Sequence, residues 1–216
     1  MNYIRDDMVF KIFDCYAIFV GLQPIYKKAK LDIPAFVKGV PVTEIQNDAC
    51  SSNSQIQRLM LPHTIKKIGD GAFWSCKNLE IVQLLTTSEQ NDLIIGKYAF
   101  ANCTKLVSFH AKTEIEIQEE AFAYSYKLGL LEGCVRKIEP RVFNDTALDV
   151  LILANNAEVL NDGFYRSKIK ELICVRNATF HNSAIRFIQT KNINIHCPQT
   201  SNVVDLAYLG ISICAN

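Results

Sequence analysis

Residues 68–79 have the sequence IGDGAFWSCKNL, and residues 95–106 repeat this pattern as IGKYAFANCTKL. Four further stretches follow the same order of apolar, small and aromatic positions, the last two more weakly: residues 117–128 (IQEEAFAYSYKL), 138–146 (IEPRVFNDT), 45–56 and 159–169. Such an internal repeat indicates one structural unit per copy, because each unit buries its apolar side only by stacking on its neighbours.

Aligned phenylalanines set the length of the repeat. They are Phe73, Phe100, Phe122, Phe143 and Phe164. Their spacing of about 21 to 27 residues lies within the roughly 20–29 residues of short-strand solenoid repeats. The longest interval contains the polar run 86–92 (TTSEQND), which we interpret as an insertion after the second copy. We expect it to form a loop on one side of the stack.

The apolar pattern LxxLxL closes most of the copies. It occurs in residues 56–61, 79–84, 106–111, 148–153 and 169–174. The last residues of each pattern alternate between inward and outward positions, as they do in a β-strand. The sequence therefore predicts a repeat solenoid of about six or seven coils, in which parallel strands stack at about 4.8 Å and short turns or 3-10 segments join them.

Equivalent positions of the copies form columns through the stack. One column holds small residues: Asn53, Cys76, Cys103, Ser125, Thr146 and Ser167. Such side chains can hydrogen-bond the buried backbone of a turn, which needs partners. Cys76 and Cys103 are therefore interpreted as structural residues. Their Cα atoms could lie close enough for a bridge, but we expect free thiols.

Candidate chemistry is sparse along the chain. The eight cysteines are spread over its whole length without a CxxC pair, and we expect most of them to be reduced. His63, His110, His181 and His196 each lie in a different coil or cap, and none has a Cys, His or Asp neighbour at ligand spacing. Gly69 and Gly96 are interpreted as turn residues and not as a phosphate-binding loop. We predict no metal site, no cofactor, no catalytic residue and no enzymatic activity.

Charge and hydropathy exclude two further classes of partner. The formal net charge is +1, so no basic excess favours nucleic acid. The longest apolar stretch near the N-terminus, residues 15–22, is too short to span a bilayer, and we predict no membrane insertion. The first residues do not form a recognisable secretion signal, which by itself favours the cytoplasm.

The chain is predicted to be a single domain, 1–216, that has atypical ends. An N-terminal cap, 1–41, precedes the coils, 42–191, and a C-terminal cap, 192–216, follows them. The first cap is predicted to contain a β-hairpin formed by residues 8–13 and 16–21. The last is predicted to contain a strand, a helix and a final strand: residues 192–197, 202–209 and 211–213.

The repeat IGxxAFxxCxxL followed by IxxVxL resembles the BspA-type leucine-rich repeat. The segment 31–45 (LDIPAFVKGVPVTEI) is similar to the usual lead-in of that family, so the resemblance extends over nearly the whole chain. It implies a leucine-rich-repeat solenoid that serves as a binding module, associated with adhesion, host-protein binding and display at the cell surface. The resemblance brings no catalytic residues with it.

The outward positions of the predicted strands are the candidate partner-binding residues. They are Arg58, Met60, Ile81, Gln83, His110, Leu130, Glu132, Val150, Ile152, Glu171 and Ile173, with Ser108 beside them. Four of them, Leu130, Val150, Ile152 and Ile173, would form one apolar patch on adjoining strands. Contiguous exposed apolar patches are typical of partner sites. We expect a protein partner there, with a second copy of this chain as one candidate.

Trp74, the only tryptophan, follows the first aligned phenylalanine. It is interpreted as a packed turn residue, with a binding anchor as the alternative. For the whole chain, the leading hypothesis is a protein-binding module of adhesin type. The alternative is an intracellular scaffold or self-associating structural protein, which the missing signal and the cysteines favour.

Overall fold

Seventeen β-strands form the regular secondary structure of the residues that the computed structural model describes. These residues are 2–85, 92–181, 183–185, 187–190 and 193–196, with the backbone of 212–214. The strands are, in chain order, β1 (Asn2–Arg5), β2 (Met8–Ile12), β3 (Ala17–Leu22), β4 (Lys30–Asp32), β5 (Phe36–Val37), β6 (Val40–Ile45), β7 (Arg58–Leu61), β8 (Lys67–Ile68), β9 (Ile81–Leu84), β10 (Leu93–Ile95), β11 (Ser108–Ile117), β12 (Leu130–Ile138), β13 (Val150–Val159), β14 (Glu171–Cys174), β15 (Ala178–Phe180), β16 (Asn194–His196) and β17 (Ser212–Cys214). Within the described ranges, no helix has the length and apolarity needed to cross a lipid bilayer.

One side of every turn of the solenoid contributes a strand to a parallel sheet, which we call the front sheet. It contains β4, β7, β9, the first parts of β11, β12 and β13, and then β14, β16 and β17. Each strand pairs with the equivalent strand of the next turn, as the LxxLxL pattern predicts. Leu59, Val82 and Leu151 point inward and are fully buried, so the front sheet has one core face and one solvent face.

A second parallel sheet, which we call the side sheet, lies around the corner from the first. It contains β6, β8, β10, the later parts of β11, β12 and β13, and β15. Strand β11 passes from one sheet to the other without interruption, and its register with β12 shifts between His110 and Glu114. At the N-terminal end, β3 pairs with β6 in parallel, and β1 and β2 extend the sheet by antiparallel pairing.

Tight turns carry the aligned phenylalanines along the third side of the solenoid, which we call the turn side. Backbone hydrogen bonds join successive turns here too: the N–H of Phe73 donates to the carbonyl of Ala99, and that of Phe100 to the carbonyl of Ala121, both at 2.8 Å. Two residues per turn adopt a positive φ, four positions apart, and most of them are not glycine: Asp48 and Ser52, Gly71 and Ser75, Tyr98 and Asn102, Glu120 and Tyr124, Arg141 and Asp145, Asp162 and Arg166. The stacked backbone hydrogen bonds stabilise a conformation that these residues otherwise adopt rarely.

Gly69 and Gly96 have a different role from the one predicted. Neither has a positive φ, so neither is needed to shape a turn. A Cβ atom on Gly69 would lie 2.6 Å from the backbone nitrogen of Asn47, and one on Gly96 would lie 2.8 Å from that of Asp70. The two glycines therefore allow successive turns to approach each other. At this approach, Oδ1 of Asn47 accepts the N–H of Asp70, and Oδ1 of Asp70 accepts the N–H of Lys97, both at 3.0 Å.

The core of the solenoid is a continuous stack of phenylalanine rings. Neighbouring rings lie nearly parallel, with centroids 5.4 to 5.9 Å apart: Phe73 with Phe100, Phe100 with Phe122, Phe122 with Phe143, and Phe143 with Phe164. All five rings are fully buried. Aromatic pairs at such distances contribute roughly 0.5–1.5 kcal/mol each beyond the burial of their area. The phenylalanine column inferred from the sequence is thus the axis of packing.

Five of the six residues in the column of small residues bond the turn backbone as predicted, whereas the buried hydroxyl of Ser167 has no hydrogen-bond partner among the described residues. The thiol of Cys76 donates to the carbonyl of Cys50, with 3.1 Å from Sγ to oxygen, and the thiol of Cys103 donates to the carbonyl of Phe73 at 3.2 Å. Both are free and fully buried, so the expectation of free thiols at these two positions is confirmed. Ser125 occupies the same slot in the next turn.

The remaining described cysteines differ in environment. Cys15 is exposed, Cys50 is buried and Cys134 is partly buried, and all three are free. Cys174, by contrast, is disulfide-bonded.

Both ends of the chain contribute to the stack more than the predicted caps imply. The solenoid has about eight turns, and not six or seven. The difference arises because β4, from the segment assigned to the N-terminal cap, and β16 and β17, from the segment assigned to the C-terminal cap, pair in the same parallel register as the coils. Strands β2 and β3 form an antiparallel hairpin where one was predicted, and β1 adds a strand that was not. The predicted helix, 202–209, lies outside the described residues.

Candidate functional site

The solvent face of the front sheet carries two rows of side chains that run across the strands. Strand register places the members of each row on successive turns. One row is Lys30, Arg58, Ile81, Ser108, Leu130, Val150, Glu171 and Asn194. The other begins with Asp32, Met60, Gln83, His110 and Glu132 and continues, after a register shift in β12, with Ile152, Ile173 and His196.

All eleven candidate residues predicted from the sequence are at least partly exposed on this face. Their inward-facing neighbours in the same strands are buried. Ser108 is the exception among the outward positions, because it is only 8% exposed. Its hydroxyl lies 3.0 Å from Nε2 of His110, and we infer that the imidazole shields it from solvent. The expectation that Ser108 belongs to the exposed surface is therefore wrong.

Four apolar side chains lie next to each other in the C-terminal half of the front sheet, and we call them the apolar patch. Leu130 pairs with Val150, and Ile152 pairs with Ile173. Leu130 is 46% exposed and Ile152 is 37% exposed, while Val150 and Ile173 are partly exposed. The patch thus spans three adjoining strands and is available to solvent in the single chain.

Polar contacts of two glutamates with histidine and lysine side chains flank the apolar patch on both sides. On the N-terminal side, the carboxylate of Glu132 lies 2.9 Å from Nδ1 of His110 and 3.7 Å from Nζ of Lys112. On the C-terminal side, Glu171 lies 2.9 Å from Nε2 of His196. These side chains are one-third to three-quarters exposed, so they contribute little to stability. These polar side chains border the apolar patch on both sides and can form directional hydrogen bonds with a partner.

A groove of about 520 Å³ lies on the N-terminal side of the apolar patch, next to Glu132. Its volume lies within the roughly 300–1,000 Å³ of ligand pockets. The residues that line it are Ile81, Gln83, Leu84, Leu85, His110, Lys112 and Glu132. Sequence alternation identified four of the seven as outward residues, assigned Leu84 to the inward face, and gave no assignment to Leu85 and Lys112. Leu85 and Lys112 directly follow the LxxLxL patterns of residues 79–84 and 106–111, which therefore assign them no orientation.

The side sheet presents a different surface. Its outward positions are mostly charged: Glu44, Lys67, Ile94, Glu116, Lys137, Glu158 and Thr179. Several of these charges are neutralised within the chain. Arg136 contacts Asp92 at 3.2 Å and Glu116 at 3.4 Å, and His181 contacts Glu158 at 3.0 Å. The front sheet is therefore the stronger candidate for an apolar contact.

Metal binding and thiol chemistry find no support in the described ranges. Within them, no group of three or more His, Cys, Asp or Glu side chains could hold a metal ion. Burial raises the pKa of the Cys76 thiol to about 12 and also raises the pKa values of Cys50 and Cys103 well above the ordinary value of a thiol. A thiol is nucleophilic only as its thiolate, so these three cysteines are suited to packing and not to catalysis.

Three solved structures share this architecture. A leucine-rich cell surface protein from Faecalibacterium prausnitzii is 18% identical, with a TM-score of 0.57 over 93% of this chain and 71% of its own. The leucine-rich repeat protein of T. pallidum is 17% identical, with a TM-score of 0.60 over 83% of this chain and 86% of its own. A leucine-rich repeat protein from Bacteroides capillosus is 24% identical, with a TM-score of 0.50 over 61% of this chain and 97% of its own. At these identities the likeness shows the fold alone.

Comparison of the sequence with family models is more specific. No curated protein sequence matches the chain. The model described as the BspA type leucine rich repeat region matches in six copies, over residues 31–134 and 94–205. The matched residues include the isoleucine, phenylalanine and small-residue columns that the structure stacks. The chain belongs to the BspA-type leucine-rich-repeat family.

Proposed function

We propose that this protein is a non-enzymatic binding module that presents the solvent face of its front sheet to a protein partner. The observation that carries the proposal is the apolar patch formed by Leu130, Val150, Ile152 and Ile173. Contiguous apolar surface on a soluble protein is typical of interaction sites, and leucine-rich-repeat proteins are generally protein-interaction modules. The eleven candidate residues on the front sheet are proposed as the binding surface.

The apolar centre of this surface and its charged edges would contribute differently to partner binding. Covering Leu130 and Ile152 removes apolar area from water, which is the main source of affinity in an interface. The charged side chains of Glu132, Lys112 and Glu171 would lie at the rim, where exposed charges set orientation and association rate more than affinity. The parallel stack fixes the spacing between these groups, so the surface is rigid before it binds.

The finer proposal is an adhesin-like role in host-protein binding. It is supported by the family and by the structural neighbour from Faecalibacterium prausnitzii, which is described as a cell surface protein. Labelling of native cells with a membrane-impermeant amine reagent tests the location. Labelling of this protein in intact cells supports the adhesin-like role, and labelling only after lysis contradicts it.

A second candidate is an intracellular scaffold or a self-associating structural protein. The apolar patch supports self-association as well as it supports binding of a different protein, because a second copy of the chain could cover it. Size-exclusion chromatography with light scattering distinguishes the two, because self-association through the patch gives a concentration-dependent mass. A monomer at all concentrations would favour a different protein as the partner.

The decisive experiment is a double substitution, Val150→Glu with Ile152→Glu. Both side chains point to solvent, so circular dichroism should be unchanged while binding to a protein partner or to a second copy is lost. Ile94→Glu is the matched control, since Ile94 is a partly exposed, outward-facing strand residue of the side sheet. If every complex seen with the wild-type chain survives the double substitution, the apolar patch is not the binding site.

A further inference from the structure

Exposed aromatic side chains lie away from the front sheet, on the turn side. Five of them are between 41% and 54% exposed: Trp74, Tyr98, Tyr124, Tyr126 and Phe187. The two rows of the front sheet contain no phenylalanine, tyrosine or tryptophan. The proposed protein-binding surface therefore leaves the exposed aromatic residues of the turn side without a function.

Tyr126 borders a small depression of about 100 Å³ between successive turns. Asp145, Thr146, Ala147, Arg166, Lys168 and Gln189 complete its lining, and most of them are polar or charged. The volume is well below the roughly 300–1,000 Å³ of pockets that enclose drug-sized ligands. A depression of this size fits one ring or one functional group, and not a length of folded polypeptide.

The repeat itself holds the polar groups of this depression in place. Asp145 and Arg166 occupy equivalent positions on successive turns, with φ values of 55° and 54°. Oδ1 of Asp145 accepts a hydrogen bond from Nε of Arg166 at 3.1 Å, and the carboxylate is only 17% exposed. Among the described residues, the terminal nitrogens of the Arg166 guanidinium and Oδ2 of Asp145 have no further partner, which leaves them able to bond a ligand.

The ring of Tyr126, which borders the depression, packs against the ring of Tyr124. Tyr124 meets Tyr126 edge to face, with ring centroids 6.4 Å apart and planes at 63°. Tyr126 is nevertheless 54% exposed, which leaves much of its surface open to a ligand. The depression thus combines one exposed aromatic ring with planar hydrogen-bonding groups from three further turns, those of Asp145, Arg166 and Gln189.

A sugar ring matches this combination better than a peptide does. It offers C–H groups to an aromatic face and several hydroxyls that both donate and accept, which suits the carboxylate of Asp145 and the amide of Gln189. The charges of the lining side chains sum to +1, since Asp145 offsets Arg166 and Lys168 remains. In the described part of the chain, Lys168 has no carboxylate within ion-pair distance. An anionic group on the ligand would supply one.

We propose that the depression between Tyr126 and Lys168 binds a sugar residue that carries a carboxylate. The Tyr126 ring would contact the apolar face of the sugar, Asp145 and Gln189 its hydroxyls, and Lys168 with Arg166 its carboxylate. A single shallow subsite of this kind gives a dissociation constant on the order of 1 mM. Tighter binding to a glycan would require further contacts along the turn side.

An NMR titration of the full chain with methyl β-glucuronide and, separately, with methyl β-glucoside tests the proposal. Saturable shifts confined to the turns around Tyr126 and Lys168 are expected with the glucuronide, and shifts that need about tenfold more ligand with the glucoside. Tyr126→Ala should abolish measurable binding of both sugars. Lys168→Gln, an exposed change that preserves the fold, should lower glucuronide affinity to the level of the glucoside.

Two control variants test whether binding is specific to this depression. Tyr98→Ala removes an exposed aromatic ring from outside the depression and should leave the titration unchanged. The double substitution at Val150 and Ile152 should also leave it unchanged, so failure of the front-sheet proposal would not affect this one. The sugar site is refuted if the glucuronide gives no saturable shifts, if Tyr98→Ala abolishes them, or if an N-acetylated aspartate amide binds as tightly as the glucuronide. Equal binding of the glucoside would refute the requirement for a carboxylate.

Discussion

The rings of Phe100 and Phe122 lie on successive turns, with centroids 5.5 Å apart and planes 9° from parallel. The ring of Phe109, which points inward from the front sheet, meets the edges of both at 5.6 Å. The front sheet is thereby packed directly against the phenylalanine stack. Phe109 and His110 are neighbours in β11, so the strand that carries His110 is packed against the stack through Phe109.

Removing one ring from this stack should lower the free energy of unfolding of the solenoid. Phe122→Ala creates a cavity between two aromatic neighbours, and buried Phe-to-Ala changes cost about 3–5 kcal/mol. Phe122→Leu keeps much of the volume and should cost less. Urea unfolding followed by circular dichroism measures both. Tyr126→Ala, at a ring that is 54% exposed, is the control and should change stability by less than about 1 kcal/mol. Equal losses for the buried and exposed rings would contradict the packing described.

A glycine should be needed at position 96 because the preceding turn leaves no room for a Cβ atom, and not because its backbone angles exclude other residues. A Cβ there would lie 2.5 Å from Oδ1 of Asp70 and 2.8 Å from its backbone nitrogen. Because backbone cannot move aside easily, Gly96→Ala should destabilise the chain by about 1–3 kcal/mol. Gly129→Ala is the matched control, since the nearest atoms to its added Cβ lie at 3.9 Å. In thermal unfolding, Gly96→Ala should therefore lower the midpoint temperature clearly, and Gly129→Ala should not.

Much of the fold and the orientation of the strands could be predicted from the sequence. The repeat aligns equivalent residues, and the alternation of strand residues then assigns Val150 and Ile152 to the solvent face without any structure. Shapes that arise between turns could not be predicted in this way. The groove depends on Leu85 and Lys112, which follow the strand pattern and are brought together only by stacking. Ser108 was misassigned because alternation says nothing about the imidazole of a neighbour that covers it.

The positive φ values of the turns could not be predicted from the sequence for a related reason. Ser75 and Tyr124 adopt a positive φ although neither is glycine, because hydrogen bonds to the next turn stabilise that conformation. Nothing in a single copy indicates those bonds. The grouping of Tyr126, Asp145 and Arg166 is likewise a product of stacking, since each residue comes from a different turn.

Reactivity of the cysteines should follow their burial. Iodoacetamide applied to the native chain should modify Cys15, which is exposed, much faster than Cys50 or Cys103, which are buried. Burial both blocks the reagent and raises the pKa of the two buried thiols, so little thiolate is present. Peptide mass mapping after timed quenching measures the difference. In urea the three residues should react at similar rates, and persistent protection there would show that the native burial is not the cause.

Alkaline pH should weaken the fold through Cys76. Burial raises the pKa of this thiol from 9.0 to about 12 in the folded chain. Between these two values the unfolded chain releases the proton and the folded chain retains it, so the unfolded state binds fewer protons and the free energy of unfolding falls as pH rises. One such group contributes a slope of up to about 1.4 kcal/mol per pH unit. Cys76→Ser retains a donor for the carbonyl of Cys50 but does not ionise in this range, so urea unfolding between pH 8 and pH 11 should show a shallower decline than the wild-type chain. An identical decline in both would mean that other groups, such as Tyr26, whose pKa burial also raises to about 12, account for all of it.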